Sequence, residues 1–243
     1  MIDLLPAQPL PLAQLLLSLC QTQVWVEGRE RLPRGAALII SNHRSFLDAP
    51  VLLAGLNRPV RLACHYYLTQ VPLLRDIALG LGCIPLQQRP HKQIHFFREA
   101  EATLGQAGYV GLFPEGAERI ASLSSPGEIG SFQPGFAHLA LASQVDPLPI
   151  VPVAIRVRQE WQAPGIPLPV FRLFDQTEPM FQGNGGHPVV IYREVHLSIA
   201  EPIWIGQADR PKDRHRRQQK IQDLVARAEA LVAGSLHPSA QSV

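Results

Sequence analysis

The apolar residues of this chain fall into short runs separated by turn-forming stretches. Runs at 36–40, 109–113, 150–155 and 189–199 read as strands, and the segments near 48–56, 91–106 and 134–143 read as helices between them. Strands alternating with helices predict an α/β fold: a single domain with a central, mostly parallel or mixed sheet flanked by helices. In such sheets ligands gather beyond the strand ends, where His43 and Glu115 both fall.

Composition agrees with one enzyme-sized domain. At 243 residues and 46% hydrophobic, the chain can bury a sizeable core. Only 17% of residues are charged and the mean hydropathy is slightly positive, which predicts apolar surface of the kind found where a protein meets lipid. A net charge of +2 gives no reason to expect nucleic acid as a partner. Cys20, Cys64 and Cys83 are scattered and read as small core residues of a reducing compartment. No zinc-type spacing, phosphate-cradling glycine loop or internal repeat is present, so neither a metal nor a bound cofactor is expected.

The most informative stretch is Ser41-Asn42-His43-Arg44-Ser45-Phe46-Leu47-Asp48, directly after the first apolar run. A histidine near an aspartate at a strand-to-helix turn is a general-base arrangement, in which the carboxylate fixes the imidazole tautomer. Five residues of continuous helix leave two side chains about 140° apart, and a continuous strand sends them to opposite faces. The pair can meet only if the chain turns between them. The competing reading is a helix-capping box in which Asp48 serves the first turn and His43 is a loop residue.

Further blocks follow. Gly82 to Arg89 includes Ile84; Phe113-Pro114-Glu115-Gly116 closes a strand on a Pro/Gly turn; Gly135 opens an apolar segment; Ile150-Val151-Pro152-Val153 is a late strand. With Asn42-His43 through Asp48, these stand in the order and at the intervals of the glycerolipid acyltransferases of the lysophosphatidate acyltransferase type. The resemblance runs from about Val24 to Ile205. It implies that fold, and His43 and Asp48 as the catalytic pair. It also implies Arg89, Glu115, Gly116 and Arg119 at the acceptor and its phosphate, with Asn42, Phe113, Pro114, Gly135 and Pro152 supporting the motifs.

The implied reaction is transfer of a fatty acyl group from an acyl-carrier protein or coenzyme A thioester, the co-substrate, to a hydroxyl of a lyso-lipid. The expected acceptor is 1-acylglycerol-3-phosphate, giving phosphatidate. Departures from the family pattern fall on basic positions: Ala117-Glu118-Arg119 displaces one arginine, Gln88 precedes Arg89, and Gln133 stands at a frequent lysine. Arginine and lysine suit phosphate oxygens. Either small loop shifts let Arg89 and Arg119 still reach a phosphate, or the acceptor is a phosphate-free lyso-glycolipid, aminolipid or other alcohol. A catalytically silent lipid-binding member of the fold is the alternative from another class. A hydrolase is disfavoured because no Gly-x-Ser-x-Gly elbow is present.

The chain ends bear on location. Residues 1–23 form a short apolar N-terminal segment and 24–243 the acyltransferase domain. Leu10 to Cys20 is too short to span a bilayer and lacks a basic leader. It reads as an interfacial helix, with packing on the domain as the alternative. The expected setting is cytoplasmic, in peripheral contact with a membrane surface.

Between Gln159 and Pro188 the sequence is rich in proline and glycine and reads as a long excursion between strands. There Trp161, Phe171, Phe174, Met180 and Phe181 serve mainly as core, or else line an acyl channel or touch the bilayer. The basic stretch Arg214 to Arg217 opens an amphipathic C-terminal helix. It is read first as a packed helix with a solvated charged face, and second as a surface for anionic headgroups or an acidic carrier protein.

Overall fold

A computed structural model of the protein describes residues 8–86, 92–116, 124–176, 181–182 and 185–237. Among these, eight strands share one sheet: β1 (Gln23–Glu27), β2 (Ala37–Ser41), β3 (Val60–Cys64), β4 (Ile84–Pro85), β5 (Tyr109–Leu112), β6 (Leu148–Pro167), β7 (Gly186–Ile199) and β8 (Ile203–Ile205). Their order is β1-β7-β6-β2-β5-β3-β4, with β8 also on β6. The helices are α1 (Pro9–Leu19), α2 (Asp48–Leu56), α3 (Pro72–Gly80), α4 (Lys92–Gly105), α5 (Gly135–Ala142), α6 (Leu168–Arg172) and α7 (Arg214–Leu236).

The sheet is mixed. β2 runs parallel to β5 and to β6, and β3 parallel to β4 and β5, whereas β6 pairs antiparallel with β7 and β8. Every residue of β2 is buried because both of its faces are covered. Ala37 and Ile39 join a core built with α1 and α2, while Leu38 and Ile40 join a second core built with α4, α5 and α7. That two-sided burial accounts for the unbroken apolar run.

The topology marks one place. β2 leads into α2 on the first face, and the chain after β5 leads to α5 on the second. Two adjacent parallel strands whose connections leave to opposite faces open a crevice at their carboxyl ends. His43 follows β2 and Glu115 follows β5.

The Gln159–Pro188 stretch, expected as a long excursion between strands, is largely strand itself. Its two legs pair as an antiparallel ribbon, β6 extending to Pro167 and β7 starting at Gly186, with α6 near the tip. Proline is tolerated there for local reasons. Pro164 lies in the register shift between Ala163 and Ile166, and Pro188 precedes Glu194, where pairing of β7 with β1 ends. The ribbon is anchored by Phe171 and Phe181, stacked at 5.2 Å and packed with Tyr67. Met180 lies outside the described residues.

At the N-terminus, α1 lies along α2 with Ala13 and Leu17 in the first core, while Leu15 and Leu19 face outward. At the other end, Asp213 caps α7 by accepting from Arg216 N–H, and Ile221, Leu224, Ala228, Val232 and Leu236 are buried. Arg210, just before the basic stretch, bonds to Val145 O, and Arg217 within it bonds to Leu141 O. The stretch thus lies by the end of α5 and the start of β6, at the opposite end of the sheet from His43. Among the described residues no helix is long and apolar enough to cross a membrane.

Candidate active site

The chain turns sharply between Ser41 and Asp48, and the turn brings His43 and Asp48 together. His43 Nδ1 lies 2.8 Å from Asp48 Oδ2. The same oxygen accepts Arg44 N–H at 2.6 Å and Ser45 N–H at 2.8 Å. Asp48 is the first residue of α2 and the acidic residue of its first turn. No side-chain hydrogen bond caps α2 at Leu47, and the Asp48 carboxylate is turned instead to the histidine and the loop before the helix. With Nδ1 facing a carboxylate, the tautomer protonated there leaves Nε2 as a proton acceptor. His43 keeps 12% side-chain exposure against 1% for Asp48.

Asp48 Oδ1 has its own donor, the Tyr192 hydroxyl on β7, at 2.7 Å. Burial pushes the Tyr192 phenol well above its ordinary value, and the Asp48 charge and hydrogen bond push it further, so it stays protonated and donates. All four partners of the Asp48 carboxylate are donors, and it acts purely as an acceptor.

Glu115 supports the histidine from the neighbouring strand. Its Oε1 accepts His43 N–H at 2.8 Å and its Oε2 accepts Gly130 N–H. The turn that holds Glu115 is closed by Gly116 N–H donating to Phe113 O, and Gly116 takes a positive φ of 83° that favours glycine. Pro114 O accepts Gln133 N–H at 2.8 Å. Phe113 lays its ring on the His43 imidazole, centroids 3.9 Å apart and 9° from parallel.

Asn42 is structural. Its amide both donates to Ile155 O and accepts from Ile155 N–H, adding one rung beyond the last β2–β6 pair. Pro152 sits opposite Ile40, and its carbonyl accepts Ala200 N–H. Gly135 opens α5, where a Cβ would meet open space. Arg89 and Arg119 lie outside the described residues.

Two further partners carry no sequence signal of their own. Arg44, buried beside His43, donates to Ser124 O and forms a two-pronged ion pair with Glu160 on β6. Burial opposes the charged guanidinium, but the bonds and charge of Glu160 outweigh it and hold Arg44 above its ordinary value. Tyr192 stands 144 residues from Asp48, and only the sheet brings the two together.

The sequence model of one family, described as acyltransferase, matches residues 23–156, more than half of the chain. The chain belongs to the acyltransferase family. The matched span contains His43, Asp48 and Glu115, and stops before Glu160 and Tyr192. A chloroplastic 1-acyl-sn-glycerol-3-phosphate acyltransferase of Arabidopsis thaliana is 30% identical over 128 residues, 51% of this chain and 34% of that protein. The chain thus corresponds to about a third of that relative's length. The crystal structure of the 1-acyl-sn-glycerophosphate acyltransferase PlsC from Thermotoga maritima superposes with a TM-score of 0.57 at 17% identity. That match covers 97% of this acyltransferase-family chain and 80% of the other, a likeness of fold.

Proposed function

We propose that this protein transfers a fatty acyl group from an acyl-carrier protein or coenzyme A thioester to a hydroxyl of a lyso-lipid, with 1-acylglycerol-3-phosphate as acceptor and phosphatidate as product. The observation that carries the reading is the 2.8 Å contact between His43 Nδ1 and Asp48 Oδ2 at the crevice between β2 and β5. The family membership and the activity for which the Arabidopsis relative is named support it.

In this reaction His43 Nε2 takes the acceptor's proton as its oxygen attacks the thioester carbonyl. The tetrahedral intermediate collapses by breaking the carbon–sulfur bond, and the leaving thiolate recovers the proton from the imidazolium. Asp48 holds the imidazole and stabilises its charged form. No acyl-enzyme forms. General-base assistance of this kind is worth about 10²–10⁴-fold.

The setting is peripheral to a membrane on the cytoplasmic side. Exposed Leu15 and Leu19 on α1, and Leu173 and Phe174 just after α6, support lipid contact.

The test is acyl transfer by the purified protein from palmitoyl and oleoyl carrier-protein and coenzyme A donors to a panel of lyso-lipids, beside His43→Ala. Transfer to 1-acylglycerol-3-phosphate that vanishes in the variant supports the reading. Transfer only to phosphate-free acceptors replaces the acceptor, and no transfer to any acceptor leaves a silent lipid-binding protein.

A further inference from the structure

Tyr192 is fully buried and sits on β7, beyond the span that the family's sequence model matches. Its hydroxyl donates to Asp48 Oδ1 at 2.7 Å, while Oδ2 is shared by His43 Nδ1 and two backbone N–H groups. The two carboxylate oxygens therefore have separate duties: one faces the histidine and its loop, the other is tied to the sheet.

The tie is rigid at both ends. Tyr192 pairs with Glu160 across the β6–β7 ladder, and its carbonyl accepts the Thr22 hydroxyl at 2.7 Å. Two residues earlier, Val190 O accepts the Ser45 hydroxyl, also at 2.7 Å. β7 thus grips the histidine loop twice, through Ser45 and through Asp48.

We infer that Tyr192 is a positioning residue for acyl transfer, acting on His43 through Asp48. The inference rests on His43 being the general base. Without the phenol, Oδ1 is a buried acceptor with no donor, and the carboxylate is held only through Oδ2 by the histidine loop itself, so that it can tilt about its terminal torsion. The acceptor that fixes His43 Nδ1–H then loses its place, and fewer molecules hold Nε2 ready for the proton. The loss falls on turnover and leaves substrate binding intact.

Tyr192→Phe removes one oxygen and keeps the ring that fills the core. It is compared with Asp48→Asn and with the double variant in steady-state acyl transfer. Expected is a fall in kcat of about 10- to 100-fold for Tyr192→Phe, with KM for donor and acceptor within about twofold. The double variant should be no slower than Asp48→Asn alone, since residues acting through one another are not additive.

A readout independent of turnover is the low-field proton resonance of His43 Nδ1–H, assigned by its absence in His43→Ala. It should shift or broaden in Tyr192→Phe while the unfolding temperature changes by only a few degrees. Unchanged kcat, an equal loss in both Asp48 backgrounds, or an unmoved resonance overturns the inference. Wild-type protein without His43-dependent transfer would overturn the acyltransferase reading instead, and the resonance would still decide whether Tyr192 positions the pair.

Discussion

Glu115 accepts the backbone N–H of His43 at 2.8 Å across 72 residues of chain. The glutamate after β5 therefore fixes the main chain of His43, the residue proposed to take the proton. A carboxylate is needed because both of its oxygens face N–H donors, from His43 and Gly130. Glu115→Gln puts a donor against one of them. With hydrogen bonds to charged groups worth about 1.5–3 kcal/mol, kcat should fall by about 10- to 100-fold. Steady-state kinetics decide the role: a change confined to the acceptor's KM would assign Glu115 to acceptor binding.

Asn42 extends the β2–β6 ladder with its side chain, satisfying both the N–H and the C=O of Ile155 in a buried place. Asn42→Ala leaves two main-chain groups unpaired there. The expected loss is about 2–3 kcal/mol, or roughly 5–10 °C in Tm for a chain of this size. Calorimetry checks it. A Tm within about 2 °C of wild type would show that water replaces both bonds.

Much of this arrangement was legible in the chain. Two-sided burial gives β2, β5 and the start of β6 unbroken apolar runs, and those strands aim the loops that carry His43 and Glu115. Less visible were β3, whose burial alternates around Arg61, and β4, which is only two residues long. The ribbon from Gln159 to Pro188 was hidden because its prolines fall at a register shift and beyond the part of β7 that pairs with β1, which only a known pairing reveals. Site residues within one motif could be read from spacing. Tyr192 and Glu160 could not, since antiparallel pairing of β6 and β7 brings them to Asp48 and Arg44.

Phe113 stacks on the His43 ring at 3.9 Å, nearly parallel, and closes one face of the imidazole. An aromatic pair of this kind is worth about 0.5–1.5 kcal/mol beyond its buried area. Phe113→Leu keeps an apolar cover but not the flat contact, so kcat should fall about 3- to 10-fold with the fold intact. Circular dichroism beside kinetics separates the two effects. A loss as large as that of His43→Ala would mean that Phe113 organises the whole turn.

The Arg44–Glu160 pair ties the histidine loop to the β6–β7 ribbon, and its strength should depend on pH. Burial works to raise the Glu160 carboxyl, but hydrogen bonds from Arg44 and Gln162 and the Arg44 charge outweigh it and hold the group below its ordinary value. A depressed carboxylate contributes stability that is full above the unfolded-state value, about 4.3 for glutamate, and is lost as pH falls through the folded-state value. Wild-type unfolding temperature should therefore drop on acidification in that window. Glu160→Gln leaves Arg44 without its charge partner; with Glu160 near the surface, the expected cost at pH 7 is about 2–3 kcal/mol, below the range for a fully buried pair. The variant should then lose less on acidification than wild type does. Thermal unfolding of both proteins from pH 7 to pH 3 tests this, and parallel curves would show that the pair contributes nothing dependent on its charge.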